Sequence, residues 1–285
     1  MILVINLPLH AIKKILKLFG LKIIKEKVFI SMKKKLSDVP KFVKLWNRLD
    51  NDKKKFISPY LHLSTSQFAQ DLFVISETSC RYIPKYFVEF GAASGYELSN
   101  TYLLEKYFSW NGILSEPAKI WHQNLKENRT CIIDTRCVYT KTGEKIMFCE
   151  TNNANDEFKK SGPELSRLKK YNDSVDWATE IRKQNSTEYL VESISLNDLL
   201  LQQNAPSKIG YLSIDTEGGE FEILESFDFS NYRIEIISVE HNYDLKKRGM
   251  IDSLLTDKGY VLKYENTFGA DDIYILKDPI AIDSI

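Results

Sequence analysis

From residue 83 to the end of the chain, short apolar runs alternate with amphipathic segments, and this alternation constrains the fold more than any other feature. The apolar runs predict strands, because each is short and bounded by turn-forming residues; they are KYFVEFG, NGILSEP, TCIIDTRCVY, EKIMFCE, KIGYLSID and RIEIISVEHN. Between them, segments such as YELSNTYLLEKYFSW and GGEFEILESF carry apolar residues at helical spacing. Strands and helices that alternate through short loops predict an α/β fold, with a parallel sheet and helices on both faces. Two final runs, YVLKYEN and DDIYILK, predict closing strands.

The distribution of charged, polar and apolar residues divides the chain into three regions. Residues 1–35 form a basic amphipathic arm, residues 36–82 form a helical lead-in, and residues 83–285 form the α/β domain. Inside that domain, residues 151–193 are polar and rich in Asn, Lys and Ser. We interpret residues 151–193 as an insertion or lid rather than as core.

The N-terminal arm is strongly basic. Residues 1–35 carry nine lysines and one acid, so their net charge is +8. Because the net charge of the whole chain is zero, the other 250 residues carry −8. Within residues 8–35, apolar side chains recur at helical spacing between lysines, which is typical of a helix on an anionic membrane surface. A helix packed on the body of the protein is the alternative. The arm has no cleavage-site pattern of a signal peptide and too few uninterrupted apolar residues to span a bilayer.

Four cysteines show no zinc-ligand spacing, and most lie in apolar runs. Buried reduced thiols predict a reducing compartment. We therefore expect a cytoplasmic protein, peripheral at the inner face of a membrane if the arm binds lipid. No recognition motif for nucleic acid is present, so nucleic acid is not an expected partner.

Acidic residues and glycines follow the predicted strands at the edge where a parallel sheet binds its ligand. Glu89 ends the first strand, and the chain turns through Gly91 and Gly95 into a helix. Glycine allows positive φ and a close backbone approach, so this turn predicts a ligand cradle or a structural tight turn. Glu116 ends the second strand, where a carboxylate can bind both hydroxyls of a ribose. Asp134, in the third strand, is a candidate for reading an adenine amino group.

The predicted strands KIGYLSID and RIEIISVEHN end in a second group of polar residues. Asp215 and Glu217 follow the run YLSI, and His241 lies in the sequence VEHN at the end of the second of these strands. Several acids beside a cleft are costly unless they are paired, protonated or used. His241 is a candidate general base, although a lone histidine is more often structural.

Several ordered motifs together resemble the FkbM family of S-adenosylmethionine-dependent methyltransferases. They are FVEFGAASGYELSNTYLLEKYFSWNGILSEPAKIWHQNL, YLSIDTEGGEFEIL, ISVEHN and DDIYI, within residues 66–277. The resemblance implies a class I methyltransferase (Rossmann-like) fold, a seven-stranded, mostly parallel sheet whose last strand is antiparallel. It also implies S-adenosylmethionine as cofactor, with Glu89, Gly91 and Gly95 at its amino-acid end and Glu116 on its ribose. Asp215, Glu217 and His241 would then be the reaction-side residues of an O-methyltransferase that modifies a sugar hydroxyl of a glycan.

Three points stay open at this level. Ala93-Ser94 stands where the family commonly carries a polar pair, which removes a possible cofactor contact. Either His241 or Asp215 could be the base, and an Asp/Glu/His cluster could instead hold a divalent cation that activates the acceptor. The alternatives to a methyltransferase are a non-catalytic, membrane-attached scaffold and a nucleotide-dependent oxidoreductase or epimerase. The last predicts a GxGxxG turn and a Tyr-x-x-x-Lys pair, and neither stands in the expected place.

Overall fold

A computed structural model of the chain describes residues 42–152, 162–172 and 179–277. The basic arm, residues 1–35, lies outside the described residues, as do parts of the polar segment 151–193. Within the described ranges, no helix is long and apolar enough to cross a membrane.

The described residues form two sheets connected by helices and short turns. The strands are β1 (Tyr86–Phe90), β2 (Asn111–Ser115), β3 (Ile132–Asp134), β4 (Cys137–Tyr139), β5 (Lys145–Thr151), β6 (Arg167–Leu168), β7 (Ser186–Ser195), β8 (Lys208–Ile214), β9 (Arg233–Glu240), β10 (Tyr260–Lys263) and β11 (Asp271–Leu276). The α-helices are α1 (Asn51–Ile57), α2 (Gln70–Thr78), α3 (Tyr102–Phe108), α4 (His122–Asn128), α5 (Thr179–Gln184), α6 (Leu196–Gln202), α7 (Glu220–Glu225) and α8 (Leu245–Asp257). Short 3-10 helices lie at Ser58–Leu63, Lys119–Trp121, Pro163–Leu165 and Lys169–Tyr171.

The larger sheet contains seven strands in the order β10-β11-β9-β8-β1-β2-β3. The pairs from β9 to β3 are parallel, whereas β11 runs antiparallel to both β9 and β10. The sheet is therefore mixed, and the prediction of an α/β fold that closes with two strands is confirmed.

Helices cover both faces of the large sheet because its central strands are apolar on both sides. Successive side chains of a strand point to opposite faces, so Phe87 packs in one core cluster and Val88 in the other. The first cluster includes Leu72 and Phe73 of α2, and the second includes Leu199 of α6. Ser195 caps α6, since its hydroxyl accepts the Asp198 backbone N–H at 3.1 Å.

The smaller sheet has four strands in the order β4-β7-β5-β6. The run TCIIDTRCVY, predicted as one strand, divides into β3 of the large sheet and β4 of the small one. The Asp134 side chain accepts the Arg136 backbone N–H at 2.9 Å and so turns the chain between them. Residues 186–193, interpreted from their polarity as insertion, belong to β7, which pairs with β5 over residues 186–192 and with β4 over residues 193–195. Their polarity is that of an exposed strand face.

Candidate functional site

A cavity of about 330 Å³ lies at the carboxyl ends of β1, β2, β8 and β9, where the ligand of such a sheet belongs. The small sheet forms its opposite wall, with Tyr139 from β4, Phe148 from β5 and Leu168 from β6. The cavity is thus enclosed between the two sheets.

The charged residues that line the cavity are all acids. Among the described residues, eight carboxylates line it, and no Lys, Arg or His does: Glu89, Glu97, Glu116, Glu164, Asp215, Glu217, Glu240 and Asp271. Walls of one sign focus an electrostatic potential into a cleft. The cavity therefore favours a cationic ligand over an anionic one.

The glycine turn lies against the end of β8. Gly91 has φ +69°, and a Cβ added there would be 1.9 Å from the Asp215 carbonyl oxygen. Only glycine permits this approach, so Gly91 allows the turn to close on the neighbouring strand. Gly95 has φ +73° but does not line the cavity; its added Cβ would meet Leu125 and Arg129. The structure thus places the two predicted glycines in different environments.

Glu89 lines the cavity, but its carboxylate is engaged by the loop that follows the glycine turn. It accepts the Asn100 backbone N–H at 2.7 Å and the Thr101 hydroxyl at 2.5 Å, and it lies 3.6 Å from the Arg129 guanidinium. These contacts hold residues 99–101 outside the helix predicted to begin near residue 96, so α3 begins at Tyr102. Glu89 therefore shapes the cavity wall.

Glu116 connects the second strand to the glycine turn. Its two oxygens accept the backbone N–H groups of Ala93 at 2.9 Å and Ala118 at 2.8 Å. Burial raises the pKa of Glu116 to about 7 despite these bonds. Each carboxylate oxygen has a second lone pair, so Glu116 keeps acceptor capacity for ligand hydroxyls.

Asp134 does not line the cavity. Its carboxylate pairs with the Arg136 guanidinium at 2.6 Å, and this departs from the expectation that it reads an adenine amino group. Its neighbours Cys137 and Val138 do line the cavity and, with Pro117, provide an apolar surface. Burial raises the pKa of the Cys137 thiol to about 12, so it stays neutral.

The reaction-side acids form a close cluster. One carboxylate oxygen from each of Asp215, Glu217 and Glu240 lies within 4.8 Å of the others. Asp215 and Glu240 are neighbours in this cluster. Burial, followed by the charge of Glu217 for Asp215 and of Asp215 for Glu240, raises both pKa values well above their usual range. Both carboxylates therefore bind a proton more readily than free carboxylic acids do. The three oxygens are also of the donor type that a hard divalent cation prefers.

His241 lies outside the cavity, contrary to the expectation that it faces the cleft. Its Nδ1 accepts the Tyr243 backbone N–H at 3.0 Å, and its Nε2 lies 3.9 Å from Asp272. Burial lowers its pKa, so the ring is neutral near pH 7. Asp272 in turn accepts from Arg248 at 2.6 Å. These contacts give His241 a structural place in the turn after β9.

One family model matches most of the chain that forms this cavity. It is the model of the methyltransferase FkbM domain, and it matches residues 89–262. This chain belongs to the FkbM methyltransferase family. A search of curated proteins gave no match.

The FkbM match begins at Glu89 and ends within β10, so it includes the small sheet as well as most of the large one. The family domain of this chain therefore contributes to both walls of the cavity, and a few lining residues come from outside it: Gln67, Phe68, Gln70, Ala270 and Asp271. The resemblance inferred from the sequence motifs is confirmed by this match.

Backbone strain is concentrated around the cavity of this FkbM domain. Ten non-glycine residues of the described chain have positive φ, and five of them line the cavity: Ala93, Leu98, Glu217, Asn242 and Tyr243. Such conformations cost about 1–3 kcal/mol each and persist where their surroundings hold them. The concentration of strain supports the cavity as the functional site.

Sequence reasoning missed two residues near the cavity. Arg182 of α5 donates to Glu217 at 2.9 Å, although it comes from the polar segment interpreted as an insertion. Asn100 lines the cavity and donates to the Ser213 hydroxyl at 2.9 Å, while its Oδ1 is buried without a partner in the described structure. Arg182 lies in no recognisable motif. Asn100 lies inside the run FVEFGAASGYELSN that carries the family resemblance, but no local signal marks it as a lining residue.

Proposed function

We propose that this FkbM methyltransferase transfers a methyl group from S-adenosylmethionine to a hydroxyl oxygen of an uncharged sugar, within a glycan or glycoconjugate. The observation that carries the proposal is the cavity with eight carboxylates and no described basic residue. S-adenosylmethionine carries a sulfonium and an ammonium group, so an acidic cavity suits it. A dinucleotide would bring two phosphates into the same acidic walls, which opposes the oxidoreductase alternative.

The residues present fit this cofactor. Glu116, which lines the cavity, would accept hydrogen bonds from the ribose hydroxyls, and Pro117, Cys137 and Val138 would provide an apolar surface for the base. Gly91, where a Cβ would meet the Asp215 carbonyl, lets the turn close on β8 and lines the cavity without a side chain. The strand order, with one antiparallel strand near the edge, supports a class I methyltransferase arrangement. When bound, the cofactor supplies a methyl group on a positively charged sulfur as the electrophile.

Asp215 is the proposed general base. It lines the cavity, its raised pKa makes it a stronger base than a free carboxylate, and Glu240 lies beside it in the acid cluster. His241, the other candidate from the sequence, does not line the cavity. A hydroxyl held beside Asp215 would lose its proton as its oxygen attacks, and the cavity walls would fix the line of approach.

The acid cluster also defines the test for a metal mechanism. Arg182 already donates to Glu217, so the cluster contains a positive charge of its own. The proposed base mechanism therefore predicts that methyl transfer persists in excess EDTA. A loss that Mg²⁺ restores would assign activation of the acceptor to a cation instead.

The acceptor end of the cavity supports a neutral, hydroxyl-rich ligand. Its carboxylates can accept hydrogen bonds from hydroxyl groups, and Tyr171 and Tyr243 offer aromatic faces. Tyr243 and Leu98 are 67% and 46% exposed, so apolar surface surrounds the opening. A phosphate or uronate would find no cationic partner among the described lining residues.

Methyl transfer with a labelled cofactor tests the proposal. The full chain is incubated with S-adenosylmethionine tritiated on the methyl group and with neutral oligosaccharides or their phosphorylated and uronic counterparts. We expect label in the neutral acceptors, and the label should resist mild alkali because methyl ethers do, unlike methyl esters. Label confined to anionic acceptors, or lost in alkali, would contradict the proposal.

Membrane attachment is a separate proposal, supported by the +8 charge and amphipathic spacing of residues 1–35. A protein that works on a lipid-linked glycan would gain from such an arm. Sedimentation with vesicles containing anionic phosphatidylserine should retain the full chain and not a chain lacking residues 1–35. Equal sedimentation of the two chains would remove this proposal.

A further inference from the structure

The loop that carries Glu217 is held in an unusual conformation. Glu217 has φ +58° and Gly218 has φ +145°. The Glu217 carboxylate lines the cavity, and one of its oxygens accepts from Arg182 at 2.9 Å and from Asn242 at 3.3 Å. A non-glycine residue with positive φ persists only when its surroundings hold it. The groups that hold Glu217 therefore determine where its charge lies.

Arg182 is one of those groups and comes from a distant part of the chain. Its side chain is 3% exposed, and besides Glu217 it donates through Nε to the Leu165 carbonyl oxygen at 2.8 Å. The guanidinium thus joins the segment 162–172, which forms part of the cavity wall, to the loop after β8. A buried guanidinium is stable only when it is paired, so this contact fixes both partners.

Tyr171 makes a second contact between the same two segments. A Cβ added to Gly218 would lie 2.6 Å from the Tyr171 ring, so the ring packs directly on the glycine backbone. The Tyr171 hydroxyl donates to Glu222 at 3.1 Å. Residues 162–172 are thus attached to the loop and form a fixed wall of the cavity, rather than a lid that rests on it.

We propose that Arg182 is a positioning residue that holds the Glu217 carboxylate at the reacting end of the cavity. Because the Arg182 guanidinium offsets the negative charge of Glu217, it also sets how strongly the reacting end prefers a positively charged ligand group. This inference rests on the proposed function, because the preferred charge is the cofactor's sulfonium. Glu116 and the apolar surface mark the nucleoside end, and the cluster with Asp215 marks the other. Arg182 itself does not line the cavity, so it acts through Glu217.

Two ligands that differ by one charge at the reacting centre provide the test. S-adenosylmethionine has a sulfonium there and S-adenosylhomocysteine has a neutral thioether, so their affinity ratio reports the local potential. Calorimetric titration of the full chain gives this ratio for the wild type, Arg182→Met, Glu217→Gln and the double variant. Arg182→Met leaves Glu217 without this cation and should raise the preference for S-adenosylmethionine on the order of ten-fold, whereas Glu217→Gln should lower it.

The double variant should return the ratio to near the wild-type value, and Arg182→Lys, which keeps the charge, should change it least. Because both ligands are measured on the same preparation, a fraction of unfolded protein cancels from the ratio. A purely structural role for Arg182 would weaken both ligands equally and leave the ratio unchanged, and this result would overturn the inference. A wild type that binds neither ligand would overturn the proposed function with it.

Discussion

Replacement of Asp215 by asparagine should separate catalysis from stability. The variant removes the proposed base, so methyl transfer should fall about 10²- to 10⁴-fold. The same change removes one negative charge from a cluster whose carboxylate oxygens lie within 4.8 Å of one another. Two unit charges at that distance repel by about 3.5 kcal/mol at an effective dielectric constant of 20. The raised pKa values of Asp215 and Glu240 mean that protonation relieves part of this repulsion, so we expect a gain of about 1–2 kcal/mol in unfolding free energy.

The gain in unfolding free energy of the Asp215→Asn variant should be larger at high pH than at low pH. The folded pKa of Asp215 is raised above its unfolded value, because burial and the charge of Glu217 favour the protonated form. The unfolding free energy of the wild type therefore falls as pH rises from about 4 through the folded pKa of Asp215. The Asp215→Asn variant has no carboxyl group at this position and does not show this decrease. The difference in Tm between variant and wild type, about 2–6 °C near pH 8, should shrink towards pH 4.

Calorimetry across pH 4–8 measures the stability effect, and the methyl-transfer assay measures the rate. Glu127→Gln is the matched control, since Glu127 is an exposed carboxylate outside the cavity; it should change neither quantity. A variant that keeps the wild-type rate, or whose Tm falls at pH 8, would refute the assignment of Asp215 as a strained base.

Three further changes test other parts of the structure. Gly91→Ala should unfold the turn or abolish binding of S-adenosylhomocysteine, because its Cβ would meet the Asp215 carbonyl at 1.9 Å; normal binding by calorimetry would show that the turn is misplaced. His241→Asn should keep methyl transfer within about ten-fold of wild type, since the ring does not line the cavity, and a larger loss with an altered pH profile would restore it as base. The Arg129 guanidinium, against the cost of burial, lowers the pKa of Glu105 to about 2. The stability from this pair is present above about pH 4.5 and lost as pH falls towards 2, so Glu105→Gln should flatten the acid limb of Tm against pH; an unchanged limb would assign acid unfolding to other groups.

The sequence predicts the parts of the site that depend on local pattern. Apolar runs that end in acids give β1, β2, β8 and β9, and the parallel arrangement brings Glu89, Glu116 and Asp215 to one edge. The glycine turn is likewise a local signal, because positive φ and close approach require the residue itself.

Side-chain contacts that the fold creates, both distant and local, explain what the sequence did not show. Arg182 meets Glu217 across 35 residues through the fold of a polar segment that lacks a motif. Asp134 and His241 carry the right chemistry at plausible strand ends, yet Arg136 engages one and the turn after β9 engages the other. A position at the end of a strand specifies the edge of the sheet; the partners of a side chain decide whether it faces the ligand.

The central claim is that the acid-lined cavity binds S-adenosylmethionine. Calorimetric titration of the full chain with S-adenosylmethionine, S-adenosylhomocysteine and NAD tests it most directly, with Glu116→Ala as the site variant and Glu127→Gln as the control. Saturable binding of the first two ligands, weakened in Glu116→Ala and absent with NAD, is the predicted result. Binding of NAD in preference to both, or equal binding by the Glu116→Ala variant, would contradict the assignment of this cavity.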